Sequence, residues 1–337
     1  MAPAPASTHI VSQFKHGSPL ISCRYHPSGS HIFYGAQDHG ICRWEIGGEK
    51  AVRFSGHESW VRGIAFDSAG NTVVSAGFDH RLIWHAAMEA EPKPIRSIEA
   101  HDGWVRTVAV SPDNKLLASA GNDQLVKIWD FESGEQLGQL AGHESDIYNV
   151  VFHPSEARLV SADLKGKIID WDLETSTPVR EVVCEPLSKY DEGFKAIIGG
   201  ARSMSFNTDG SLLACSGITG VTNAFAGVGH PTIEIFDWTE LKHQRHHRSK
   251  DKLKGVAWGA ILHPDDFVVG VSGGSGGGFL LFWKPDGEHE FHKIKLPDTA
   301  RDLALSPDGM DLAIAHFDGH LRIARMAEKP AEEKTAE

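Results

Sequence analysis

Cysteine is scarce: four residues, Cys23, Cys42, Cys184 and Cys215, with no CxxC pairing, stand among 337. A chain of this size buries enough surface to fold without disulfides, so they read as reduced, buried thiols. No run of about eighteen apolar residues occurs, which excludes a hydrophobic helix long enough to cross a membrane. The opening MAPAPAST has no basic stretch leading into an apolar one, so no secretory leader is expected and the cytoplasm is the expected location. Positive charge is also short. Lys and Arg number 33 against 45 Asp and Glu, a formal net charge of −12, and such a field repels nucleic acid and anionic membrane. Residues 1–8 and 328–337 contain little or nothing large and apolar to bury and are expected to be disordered.

Helical spacing is missing as well. Apolar residues come in short runs cut by Gly, Asp, Ser and Pro, among them 35 Gly and 16 Pro, the texture of an all-β chain. Self-alignment gives seven segments ending in Trp44, Trp84, Trp129, Trp171, Phe236, Trp283 and Ala324. A turn recurs with the same count: Pro27-Ser28-Gly29, Ser68-Ala69-Gly70, Pro112-Asp113-Asn114, Pro154-Ser155-Glu156, Thr208-Asp209-Gly210, Pro264-Asp265-Asp266 and Pro307-Asp308-Gly309. The spacing is that of a propeller blade. Within one unit, residues 105–110, 116–119, 126–131 and 136–140 read as four strands, a to d, joined by tight turns. One such sheet alone exposes both apolar faces; seven packed radially bury them.

Ala141-Gly142-His143 before strand a and Ile128-Trp129-Asp130 ending strand c resemble the signature of WD40 repeats. The resemblance implies one seven-bladed β-propeller over residues 9–327. Blades 5 to 7 depart from the pattern by lacking the Gly-His pair. The segment 9–16 aligns with the d strands, while the last unit stops after its third, so the N-terminal strand is expected to complete blade 7 and close the ring.

His57, Ser75, Asp79 and Trp84 recur at nearly the same spacing as His101, Ser119, Asp123 and Trp129. A Ser-His-Asp hydrolase is one reading, but the set returns with changed members in blade 1 (His16, Tyr34, Asp38, Trp44) and blade 4 (His143, Ser161, Lys165, Trp171), and an active site is not built four times. The WD40 resemblance implies instead a structural chain from Trp indole through Ser and His to Asp. Lys165 then predicts a missing last link in blade 4. The glycine run 273–278 has no Lys-Ser/Thr after it and reads as a flexible b–c turn; His243, His246 and His247 lack a Cys or Asp partner at fixed spacing, and no metal or cofactor is expected.

One pattern is unexplained by folding alone. Four residues before the end of each strand a stand Ile21, Arg62, Arg106, Tyr148, Arg202, Trp258 and Arg301, with Trp60 and Trp104 two residues earlier in blades 2 and 3. These side chains are expected at one mouth of the central channel, and Arg and Trp are typical of binding hot spots. The alternative is that each Arg pairs with a carboxylate of its own blade, such as Glu58 or Asp102. Extra length at residues 184–200, 217–231, 250–255 and 273–278 falls on the same d–a/b–c face. The expectation is a monomeric, non-catalytic scaffold or adaptor binding proteins there, with an acidic or phosphorylated group as the alternative ligand and propeller enzyme chemistry the weaker alternative.

Overall fold

The computed structural model describes residues 2–193, 195–223 and 228–329. Seven four-stranded antiparallel sheets account for nearly all of it. Blade 3 is representative, with Val105–Val110 innermost, then Leu116–Gly121, Leu125–Asp130 and Gln136–Ala141 at the rim. Its second strand is almost wholly buried while the rim strand is mostly exposed, because only the inner strands meet a neighbouring blade on both faces.

The core is therefore a set of layers between blades. Trp129 of blade 3 packs with Val74, Leu82 and Trp84 of blade 2, and Trp44 of blade 1 packs with Ala313, Leu321 and Ile323 of blade 7. That last layer is the ring closure. His9–Lys15 pairs antiparallel with His320–Arg325, placing Phe14 opposite Leu321 as the fourth strand of blade 7. Phe14 also stacks on Trp44, with ring centroids 5.6 Å apart.

Residues 2–8 are ordered rather than free. Pro5–Ser7 form one turn of 3₁₀ helix, the Thr8 hydroxyl donates to the Pro5 carbonyl, and the Ala4 N–H donates to Met326 O at 2.7 Å. The expectation of disorder overlooked backbone groups, which need no apolar side chain to be held. At the other terminus residues 328 and 329 are described, and 330–337 lie outside the described residues. All four cysteines are buried and unpaired, and burial raises their thiol pKa values.

In six blades the innermost strand carries a β-bulge at one place. The pairing steps from Leu20 to Ser22, Val61 to Gly63, Val105 to Thr107, Ile147 to Asn149, Ala257 to Gly259 and Ala300 to Asp302. The skipped residues are Ile21, Arg62, Arg106, Tyr148, Trp258 and Arg301. In blade 5, Arg202 stands just before Ser203–Phe206 with its N–H on Ser216 O. A bulge leaves its extra residue outside the ladder and re-aims its side chain. Repeated around the ring, it turns one position per blade out of the sheet.

Candidate functional site

Four of the re-aimed residues, Arg106, Tyr148, Trp258 and Arg301, meet with Arg202 as an arc of alternating cations and rings. The Arg106 guanidinium lies 4.4 Å from the Tyr148 ring centroid, and Arg202 lies 4.6 Å from the same ring and 5.7 Å from Trp258. Arg301 follows at 4.6 Å from Trp258 and 4.9 Å from Phe317. On the other side Arg106 also faces Trp104 at 5.2 Å, Trp104 stacks flat on Phe78 with centroids 4.5 Å apart, and Phe78 touches Trp60 at 6.1 Å. Nine side chains thus run unbroken from blade 2 to blade 7. Trp60, Trp104 and Phe317 are 40%, 44% and 43% exposed, so the arc has a wet aromatic rim. Ile21 carries no charge and takes no part in these ring and cation contacts.

Phe78 and Phe317 were not anticipated from the sequence. Each occupies the first position after its blade's second strand, at the b–c turn, and the equivalent residue in blade 3 is Asn122, which accepts the Arg106 Nε–H at 2.6 Å. Aligning that position across the blades would have found them. Below the arc, a cavity of about 340 Å³ lined by Arg24, Arg62, Arg106, Arg202 and Asp302, among others, forms the channel.

The arginines are not neutralised blade by blade. Arg106 pairs with Asp146 of the next blade at 3.3 Å. Arg62 donates instead to the Arg202 carbonyl at 2.8 Å, across the channel, and among the described residues Arg62, Arg202 and Arg301 have no carboxylate within 4.0 Å. Burial, with help from Arg202, Arg106 and Arg24 against the pull of Asp302, lowers Arg62 to about 10. Burial and Arg202 lower Arg301 too. Burial would raise the Tyr148 hydroxyl, but Arg202 and Arg106 outweigh it and its pKa falls. Glu58 and Asp102, the own-blade partners weighed in the sequence, form no ion pair with Arg62 or Arg106; their N–H groups instead cap Asp79 and Asp123.

The repeated His, Ser and Asp form hydrogen-bonded chains within their blades. In blade 3 the Trp129 indole donates to Ser119 Oγ at 2.8 Å, Ser119 meets His101 Nε2 at 2.7 Å, and His101 Nδ1 meets Asp123 at 2.8 Å. Blade 4 is complete as well, which corrects the expectation from Lys165: Trp171 donates to Ser161, Ser161 meets His143, and His143 Nδ1 meets Asp163 Oδ2 at 2.9 Å. Blades 1 and 2 are shortened: in blade 1 His16 reaches Tyr34 and Asp38 but the Trp44 indole donates to Gly48 O, and blade 2 loses the same link. Its His57 reaches Ser75 and Asp79, but Trp84 sits one residue early for the pattern, and its indole donates to Phe131 O of blade 3. His85 occupies the tryptophan position. A one-residue shift in a strand moves a side chain to the opposite face.

A WD domain, G-beta repeat profile matches residues 48–84, 92–130 and 134–170, the repeats of blades 2, 3 and 4. The chain is a seven-bladed β-propeller with WD40 repeats in blades 2 to 4. Among curated proteins it is similar to a Caenorhabditis elegans transcription initiation factor TFIID subunit 5, 26% identical over 62% of this chain and 30% of that one. It is similar also to target of rapamycin complex subunit wat1 of Schizosaccharomyces pombe, 24% identical over 68% of this chain and 69% of the relative. A third, human DDB1- and CUL4-associated factor 5, is 32% identical over 42% of this chain and 15% of its own length. The propeller therefore spans less than a third of the first and third of these relatives. The first two are named as subunits of larger assemblies, and the third as a factor associated with DDB1 and CUL4.

The inserted segments of the propeller lie at the same end as the arc. The connection from blade 4 to blade 5 folds as a turn, Glu185–Leu187, and a hairpin, Ser188–Asp191 with Ala196–Gly199, anchored by buried Leu187. Blade 5's long hairpin, Leu212–Asn223 with Val228–Asp237, rises beside it, and Lys189 Nζ donates to Val221 O between them. Residues 194 and 224–227 lie outside the described residues. The glycine run forms the b–c turn of blade 6, between Phe267–Gly273 and Gly278–Trp283, and its two ends are tightly packed: a Cβ on Gly278 would stand 2.0 Å from Asp298 O, and one on Gly273 2.5 Å from Ala300 O. Glycine is required there for close backbone approach. His243 and His246 take separate carboxylates, Glu234 and Glu288, and His247 bonds Gly287 O.

Proposed function

We propose that this propeller is a non-catalytic scaffold or adaptor that docks partner proteins on its d–a/b–c face, with the arginine and aromatic arc as the anchoring site and an acidic partner as the best fit. The observation that supports it most is three mouth arginines without carboxylates among the described residues, in a chain of net charge −12, rimmed by exposed tryptophans. Like charges gathered without counter-charges cost free energy, and a partner supplying acidic groups offsets that cost while the rings add desolvated contact. The relatives named above as subunits of TFIID and of the target of rapamycin complex support an assembly role.

The test compares proteins captured by the wild-type chain and by a Trp104→Ala/Arg106→Ala variant, with thermal melting of both. Proteins lost from the variant, at an unchanged melting midpoint, are the expected result. An identical captured set from a folded variant would remove the arc from the reading.

A further inference from the structure

Among the described residues, three polar hydrogens in the mouth have no acceptor. Arg202 Nε, Trp258 Nε1 and Arg301 Nε are buried and unpartnered, and they belong to consecutive blades, 5, 6 and 7. They also share one place, since both guanidinium groups lie within 5.7 Å of the Trp258 ring. Buried donors are nearly always satisfied, and an orphan points to a group that is absent. Three neighbouring orphans, all donors, ask for a group made only of acceptors. Neither Arg202 nor Arg301 has a carboxylate within 4.0 Å among the described residues, and Arg62 adds a third unpaired charge through its bond to Arg202 O.

We infer that this half of the mouth is a receptor for a single phosphate group. The choice over a carboxylate follows from charge and shape. A phosphate monoester brings close to two negative charges at neutral pH and three acceptor oxygens, against one charge and two oxygens for a carboxylate. Guanidinium forks suit its oxygens, and the indole N–H adds a neutral donor. The inference rests on the reading of this face as the docking site, and it names the group recognised there.

The experiment is calorimetric titration of the full chain at low salt with inorganic phosphate, an N-acetylated phosphoserine tripeptide and its glutamate counterpart. Both phosphate probes are expected to bind, the glutamate peptide at least about tenfold more weakly, with affinity falling as salt rises. Between pH 7.5 and 5 binding should weaken, because the second phosphate proton adds near pH 6. Arg301→Lys keeps the charge but loses the fork, and Trp258→Phe keeps the ring but loses the N–H; each should cost about tenfold. Melting curves confirm that both variants fold. Tighter binding of the peptide than of inorganic phosphate assigns the group to a partner's side chain, and the reverse assigns it to free phosphate; either supports the site. Absence of phosphate binding, equal binding of the glutamate peptide, or variants that bind like wild type would overturn it. Such a failure, with partner capture still sensitive to Trp104 and Arg106, would leave the docking reading standing.

Discussion

Asp163 accepts three hydrogen bonds in a site closed to water: His143 Nδ1 on one oxygen, and the N–H groups of Lys165 and Lys167 on the other. Blades 2 and 3 deliver the same carboxylate from two residues further on, as Asp79 and Asp123. In blade 2 the residue matching Asp163 in the ladder is Gly77, and a Cβ there would stand 2.3 Å from Asp79 Oδ1 and 2.4 Å from His57 Nδ1. One point in space is therefore reached from either of two backbone positions. Spacing along the sequence records the position and not the point, which is why Lys165 was misleading. Asp163→Ala should destabilise by about 1–3 kcal/mol, since it strands a buried histidine and two N–H groups. Lys165→Ala removes only an exposed pair with Glu144 and should cost under about 1 kcal/mol. Urea denaturation of both variants checks this; equal losses would mean that Asp163 carries no link. The mouth arginines were legible because their repeat stands out against an acidic chain. Phe78 and Phe317 were not, because an aromatic in a turn shows no period until the blades are superposed.

At the scale of the strand, pairing explains more than composition does. The segment 9–16 was recognisable as a d strand because it aligns with other d strands, and its partner was identifiable because the last blade stops one strand short. What alignment did not reveal is the bulge. The ring of equivalent residues was visible in the sequence, but the reason those side chains leave the sheet is a ladder shift that leaves no mark in the residue types. The opposite rim hides a second device. His26, His153 and His263 each precede a proline, and each reaches the glycine carbonyl of the next blade's turn, Gly70, Gly210 and Gly309, at 2.8, 3.2 and 2.9 Å. Those glycines have positive φ near 75°, so their carbonyls are turned toward the neighbouring blade. Deleting residues 1–16 removes the closing strand, the Phe14 contact with Trp44, the Ala4 bond to Met326 and the His16 bond to Asp38. The expected loss is several kcal/mol, beyond that of an ordinary single substitution, together with a tendency to associate through the exposed edge. Thermal melting and light scattering measure both; an unchanged midpoint would show that closure contributes nothing.

For the whole ring, acid stability is decided by histidines spread over different blades. His85 in blade 2, His247 in blade 5 and His316 in blade 7 each lie at 0% exposure. Each leaves one ring nitrogen without a partner. Burial is the first cause that lowers all three from 6.5 to about 4, with Arg245 and His246 adding to it at His247 and Arg322 at His316. The folded ring holds them neutral, while the unfolded chain takes up protons near pH 6.5. Between pH 6.5 and 4 the unfolded state therefore binds more protons, and stability falls as pH falls through that window. Each shift corresponds to roughly 3 kcal/mol when fully developed, an upper figure because partial opening relieves it. The carboxylates act lower. Asp79, Asp123 and Asp318 are held below the usual carboxylate value of 3.8 by hydrogen bonds that outweigh their burial, so their contribution is lost only as pH drops beneath that value. The two windows separate the causes. Urea midpoints should be flat from pH 8 to 7 and decline steeply from 6.5 to 4.5. His316→Asn should start less stable at pH 7.5, because it disturbs a packed site, but show a shallower decline. A wild-type midpoint that does not change between pH 7 and 4.5 would mean that these rings protonate in place without cost.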